Sequence, residues 1–207
     1  MTCTVLGSRS AIAVGVVGLA YGGVLAVGMS THGPTEPIGD PLLAIMEILT
    51  IASALPILCL MVALSALAPR KRQMAGVLTL SFGVLFAGTT CMVHFLELSA
   101  GRQLGTTGMV WPSMAYAAEL LAWDVWLGLA LLGAAQVLAD EPAARAAQRA
   151  LGLAGLLCLF GTVGPLVGSM RWQRIGVVGY AVVLPVAAFL LARWFRTLPL
   201  THSLSAA

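Results

Sequence analysis

Apolar residues along this chain come in long blocks rather than at the spacing of a half-exposed helix or strand, and short polar or Gly/Pro-rich stretches separate them. A hydrocarbon core of about 30 Å takes about 20 apolar residues in a helix. Six blocks meet that length, at about 11–29, 41–68, 74–98, 109–138, 150–169 and 175–195. The stretches between them read STHGPTEPIGD, PRKRQ, SAGRQLGTTG, DEPAARAAQR and SMRWQR. None is long enough to fold alone, so residues 1–207 are expected to form a single all-α domain, a bundle of about six transmembrane helices.

The second and fourth blocks exceed the minimum, so tilt or a kink is expected in each. Pro56, Pro165 and Pro185 are the candidate kinks. Gly18 with Gly22, and Gly164 with Gly168, have the small-xxx-small spacing of closely packed helices. No internal repeat of the kind that builds many transporters is evident. Arg9, followed by the apolar run from Ala11, resembles a signal peptide, but the run is long enough to span and reads as a retained first helix.

Composition narrows the classes further. The chain is 59% hydrophobic and 9% charged, with mean hydropathy +0.97. A soluble domain cannot hide that much apolar surface, which sets aside soluble enzymes, disordered chains and disulfide scaffolds. The formal charge of +3 is too small for a nucleic-acid footprint. Ten Arg against one Lys, with abundant Ala, Gly, Leu and Val, suggests a GC-rich bacterial source and hence the bacterial plasma membrane. Cys3, Cys59, Cys91 and Cys158 show no metal-finger or C-x-x-C spacing and read as inert thiols.

The basic residues set the expected orientation. Alternating the six spans puts Arg9, Arg70, Lys71, Arg72, Arg145, Arg149, Arg193 and Arg196 on one face, and Arg102, Arg171 and Arg174 on the other. Eight against three predicts cytoplasmic N- and C-termini.

The acids carry the functional signal. Glu36, Asp40, Asp140 and Glu141 lie in connections, whereas Glu47, Glu97, Glu119 and Asp124 fall inside or at the rim of apolar spans. Because a buried carboxylate costs several kcal/mol, such groups face the bundle interior, pair, or stay protonated. Counted from the span ends at about 1.5 Å per residue, Glu47, His94 and Glu119 fall in one layer near the face away from Arg70–Arg72. At 100° per residue Tyr116, Glu119, Trp123 and Trp126 share a stripe, while Asp124 points towards a neighbouring helix. Thr90, His94 and Glu97 share a face of the third span.

Three chemistries fit this cluster. A di-iron site needs a second Glu-x-x-His, which is lacking, so neither a metal nor a cofactor is expected. Proton-coupled transport of a small molecule uses intramembrane carboxylates, but no relay continues through the fifth or sixth span. Acid catalysis on a lipid-soluble substrate uses a desolvated carboxyl as proton donor beside aromatic walls that stabilise a cation. On that reading Glu47, His94, Glu97, Glu119 and Asp124 are the candidate catalytic residues, with Glu119 or Glu47 as donor. Tyr116, Trp123, Trp126, Phe95 and Trp111 would contact substrate, although Trp111 and Trp172 also suit the interfacial belt.

The runs DPLLAIMEILT, LFAGTTCMVHFLEL and LAWDVWLGLALL, in a chain of this size and span pattern, resemble the membrane-bound terpene cyclases over about residues 40–130. That group includes actinomycete enzymes that cyclise the farnesyl tail of prenylated indole diketopiperazines and, more distantly, fungal meroterpenoid cyclases. The resemblance implies a class II-type, proton-initiated cyclisation with no metal, no diphosphate loss and a hydrophobic prenylated substrate. It also implies that Glu47 stands where the family has its early acid. The fungal enzymes pair that acid with a late one; here no Asp or Glu follows Glu141, so Glu119 or Asp124 would take that part. Membrane lipid is the surrounding partner, and homo-oligomerisation stays open.

Overall fold

The computed structural model describes residues 2–33, 36–105 and 108–199. Six helices in it are long and apolar enough to cross a membrane: α1 Cys3–His32, α2 Leu42–Ala66, α3 Arg70–Leu104, α4 Met114–Val137, α5 Pro142–Leu166 and α6 Met170–Phe195. No strand occurs among the described residues, as the block pattern predicts for an all-α bundle. Each helix packs on the next in the chain and α6 closes on α1, so the six form an antiparallel ring. The closure is tight because α1 offers glycines to α6: Gly7 lies under Phe195, Gly15 under Phe189 and Gly18 against Pro185.

The helices differ from the apolar blocks mainly at their ends. α1 starts at the Thr2 cap, whose hydroxyl accepts from Val5 N, and runs through exposed Arg9. α4 starts later than the block, because Ser113 caps it by accepting from Tyr116 N at 3.1 Å. The stretches DEPAARAAQR and SMRWQR, expected as connections, are mostly helical: Arg145 and Arg149 lie on α5, and Arg171 and Arg174 on the first turns of α6. Helices run on past the apolar core because their backbone bonds are satisfied internally at any depth, while polarity changes only the side chains.

Of the paired glycines, Gly164 packs on Gln173 of α6, but a Cβ at Gly168 would meet nothing within 4 Å. Gly168 instead takes φ +69° in the α5–α6 turn, a conformation open to glycine. Pro165 follows a break at Thr162 in α5, and Pro185 follows a π-helical segment, Gly179–Val183. Two more π-helical segments, Glu97–Gly101 in α3 and Leu121–Trp126 in α4, flank the site described below.

The half of the ring near Arg70–Arg72 is filled by Ile57, Leu60, Met61, Phe86, Leu127, Leu131 and Leu184, all fully buried. Leu19, Leu55, Met74, Phe95 and Leu166 point outwards and are exposed, the inverse of a soluble surface. At the Arg70–Arg72 end, Arg72 Nε and Lys71 Nζ reach Asp140 at 3.0 and 3.2 Å and tie two connections together.

Candidate active site

The other half of the ring is hollow. A cavity of about 640 Å³ opens among the α1–α2 and α3–α4 connections and the start of α6, and every span except α5 contributes to its wall. That volume lies within the range of about 300–1,000 Å³ usual for small-molecule sites. The end it occupies is the one opposite Arg70–Arg72.

The polar wall is built from three helices. α2 brings Glu47, 2% exposed, and α3 brings His94, 4% exposed. α4 brings Tyr116, Glu119 and Trp123. His94 Nε2 and Glu119 Oε1 lie 2.8 Å apart and form a hydrogen-bonded dyad. The other atoms of that dyad, His94 Nδ1 and Glu119 Oε2, have no hydrogen-bond partner among the described residues, and neither does Trp123 Nε1. Buried polar atoms in a finished fold are normally bonded, so these three stand out beside the chamber, as the two Asp124 oxygens do deeper in the bundle. Glu47 is differently placed: its Oε2 accepts from Arg102 Nη2 at 3.0 Å. Arg102 also grips Asp40 with both terminal nitrogens. That guanidinium holds the Asp40 carboxyl below the usual range, by hydrogen bonding first and charge second.

The floor is aromatic. Trp123 and Tyr180 meet with ring centroids 5.0 Å apart, and Phe86 backs Trp123 edge-on at 4.9 Å. Tyr21 completes the floor, and beneath it lies a small void of about 20 Å³, above the filled half of the ring. Trp111 and Tyr116 pack together nearer the mouth, 6.0 Å between centroids.

The cavity therefore gathers Glu47, His94, Glu119, Tyr116, Trp123 and Trp111. Four expected members are elsewhere. Glu97 accepts from Gly108 N at 2.7 Å and fastens the end of α3 to the α3–α4 connection, so it holds the rim rather than facing the chamber. Asp124 is 0% exposed, with its carboxyl against Gly161 and Gly176, between α4, α5 and α6. Trp126 stacks on Phe82 of α3, 5.9 Å between centroids and 12° between planes. It leaves the Tyr116–Glu119–Trp123 stripe because the π-helical segment widens that turn, so the 100° step no longer applies. Phe95 is 65% exposed on the outer surface of α3, one residue round from His94.

The structure adds Tyr21, Tyr180, Gln173 and Arg174 to the wall. Gln173 is buried and donates from Nε2 to the Tyr180 hydroxyl at 3.3 Å. A tyrosine in mid-span is a polar tip in an apolar run and could have been flagged as the carboxyls were. Gln173 and Arg174 were hidden by their place in a stretch that reads as a loop. No family model, curated protein or solved structure matches this chain. No three His, Cys, Asp or Glu side chains converge as metal ligands among the described residues.

Chemically, the arrangement offers a buried, hydrogen-bonded His–Glu pair, an ion pair fixed beside it, and aromatic faces opposite. Such a chamber can deliver a proton to an apolar molecule and hold positive charge afterwards.

Proposed function

We propose that this protein is a membrane-embedded cyclase that protonates an isoprenoid chain and guides the resulting carbocation to a fused-ring terpenoid. The observation that carries the reading is the 2.8 Å His94–Glu119 dyad on the wall of an aromatic-floored cavity. Glu119 is the donor in this scheme. Its Oε1 is held by His94 while Oε2 has no protein partner, whereas Glu47 is engaged by Arg102. The Glu119 O–H adds its proton to a chain alkene or epoxide, and His94 stabilises the carboxylate left behind. The π electrons of successive double bonds close the rings, a carbon-bound proton passes to water to end the sequence, and Glu119 regains a proton from water. The product is an isomer of the substrate, and no redox partner is consumed. Tyr116, Trp123 and Tyr180 shape the folded chain and face its transient charge.

Proton-coupled transport is the weaker reading, because the cavity ends on the Tyr21–Trp123–Tyr180 floor above a filled half-ring. The proposal includes a bacterial plasma-membrane setting with the Arg70–Arg72 end in the cytoplasm.

Membranes carrying the protein, incubated with farnesylated aromatic substrates in deuterated water, are expected to yield an isomer with one non-exchangeable deuterium by mass spectrometry. A product that carries no deuterium would overturn proton initiation. Chelator treatment is expected to leave turnover unchanged; loss that a divalent ion restores would point to a metal reaction instead.

A further inference from the structure

At the mouth of the cavity the wall changes character. Arg174, part-buried on α6, lines the same chamber as His94 and Glu119, and an open hollow of about 520 Å³ adjoins it. That hollow is formed by Ser169, Met170, Arg171, Trp172 and Arg174, so Met170 and Arg174 belong to both spaces. Three arginines lie at this end of the ring. Arg102 is matched by Asp40 and Glu47, but among the described residues neither Arg171 nor Arg174 forms an ion pair. Glu36, exposed on the α1–α2 connection, is the other acid that lines the mouth, and it bonds to neither arginine. Arg174 thus stands part-buried on the chamber wall with no anionic side chain bonded to it among the described residues. Its five donors suit a carboxylate or phosphate better than any neutral group.

We infer that the rim formed by Arg171 and Arg174 is an anion subsite, and that the chamber takes an amphiphile: an anionic head on the two arginines, an apolar chain against Tyr116, Trp123 and Tyr180. As a statement about substrate class this rests on the proposed cyclase function; as a binding site it stands on the geometry alone. The anion is a carboxylate or phosphate, carried either by the chamber's own ligand or by a bilayer phospholipid.

The test is calorimetric titration of the purified full chain in uncharged detergent with farnesyl monophosphate and with farnesol, which share one chain. A charge-assisted contact predicts at least about tenfold tighter binding of the phosphate. Arg174→Gln and Arg171→Gln should each shrink that ratio, the double variant should abolish it, and Arg174→Lys should keep part of it. Farnesol should still bind every variant, with a loss of affinity smaller than that of the phosphate, which shows that the chamber is still folded. Equal affinity for the two probes, or a ratio indifferent to both arginines, overturns the inference. In nanodiscs, a preference that phosphatidylglycerol competes away identifies the anion as a lipid headgroup. One that persists there assigns it to the chamber's own ligand. Deuterium incorporation without anion preference would remove this inference and leave the cyclase; anion preference without turnover would do the reverse.

Discussion

Glu119 and Glu47 are chemically identical and lie on one wall, yet their neighbours give them different work. Glu119 is hydrogen-bonded to His94, while Glu47 is hydrogen-bonded to a guanidinium that also grips Asp40. Glu119→Gln is therefore expected to lower turnover by about 10² or more, the usual loss for a general acid, with the thermal midpoint little changed. Wild-type turnover in that variant would remove Glu119 as donor. Glu47→Gln should act differently, loosening Arg102 and raising KM more than it lowers kcat, since Glu47 helps fix the mouth. Trp123→Ala should release early-quenched products with fewer rings, read by gas chromatography. A loss of stability with an unchanged product pattern would make Trp123 a packing residue only. The residue scale was partly legible beforehand: a carboxyl or histidine in an apolar span stands out for its desolvation cost. Which of them share a chamber was less so, because Glu97 and Glu47 carry the same signal and only one faces inwards.

Among the elements, α4 shows how local geometry redirects a stripe. Its π-helical segment begins after Tyr116 and Glu119, which line the cavity with Trp123, and turns Trp126 onto Phe82, while Asp124 sits in a glycine notch. The notch has no spare room. An alanine Cβ at Gly176 would collide with Asp124 Oδ1, so Gly176→Ala should destabilise the fold by about 1–3 kcal/mol, measured by thermal unfolding in detergent. Most of that loss should vanish in an Asp124→Ala background, because the two changes share one space. The opposite end of the ring offers a pH-dependent tie. Arg72 and Lys71 hold the Asp140 carboxyl below its ordinary value. A depressed folded-state value contributes stability above the unfolded value of about 3.9 and loses it as pH falls through the folded one. Asp140→Asn should thus lower the thermal midpoint slightly at pH 7, and the difference should close in acid. The effect is small because the pair is exposed.

The whole molecule divides into a filled half and a hollow half, and its charge divides with it. Eight basic residues go with the filled end and three with the hollow end. Reporter fusions check the orientation: alkaline phosphatase should be active when joined after Gly105 and inactive after Arg196, and the reverse would invert the topology. The chain alone determined six helices, their alternation and the concentration of acids towards one end, because hydropathy and spacing along a helix are local properties. It also placed Glu47, His94 and Glu119 in one layer, since depth follows from distance to the span end. Direction around each helix was decided by tertiary structure. Closing α6 on α1 brought Tyr21 and Tyr180 to one floor, and α6's early start brought Arg174 to the mouth. The physical reason is that inward and outward faces of a uniformly apolar helix look alike in sequence. Only the neighbours it packs against distinguish a residue in a chamber from one, such as Phe95, facing outwards.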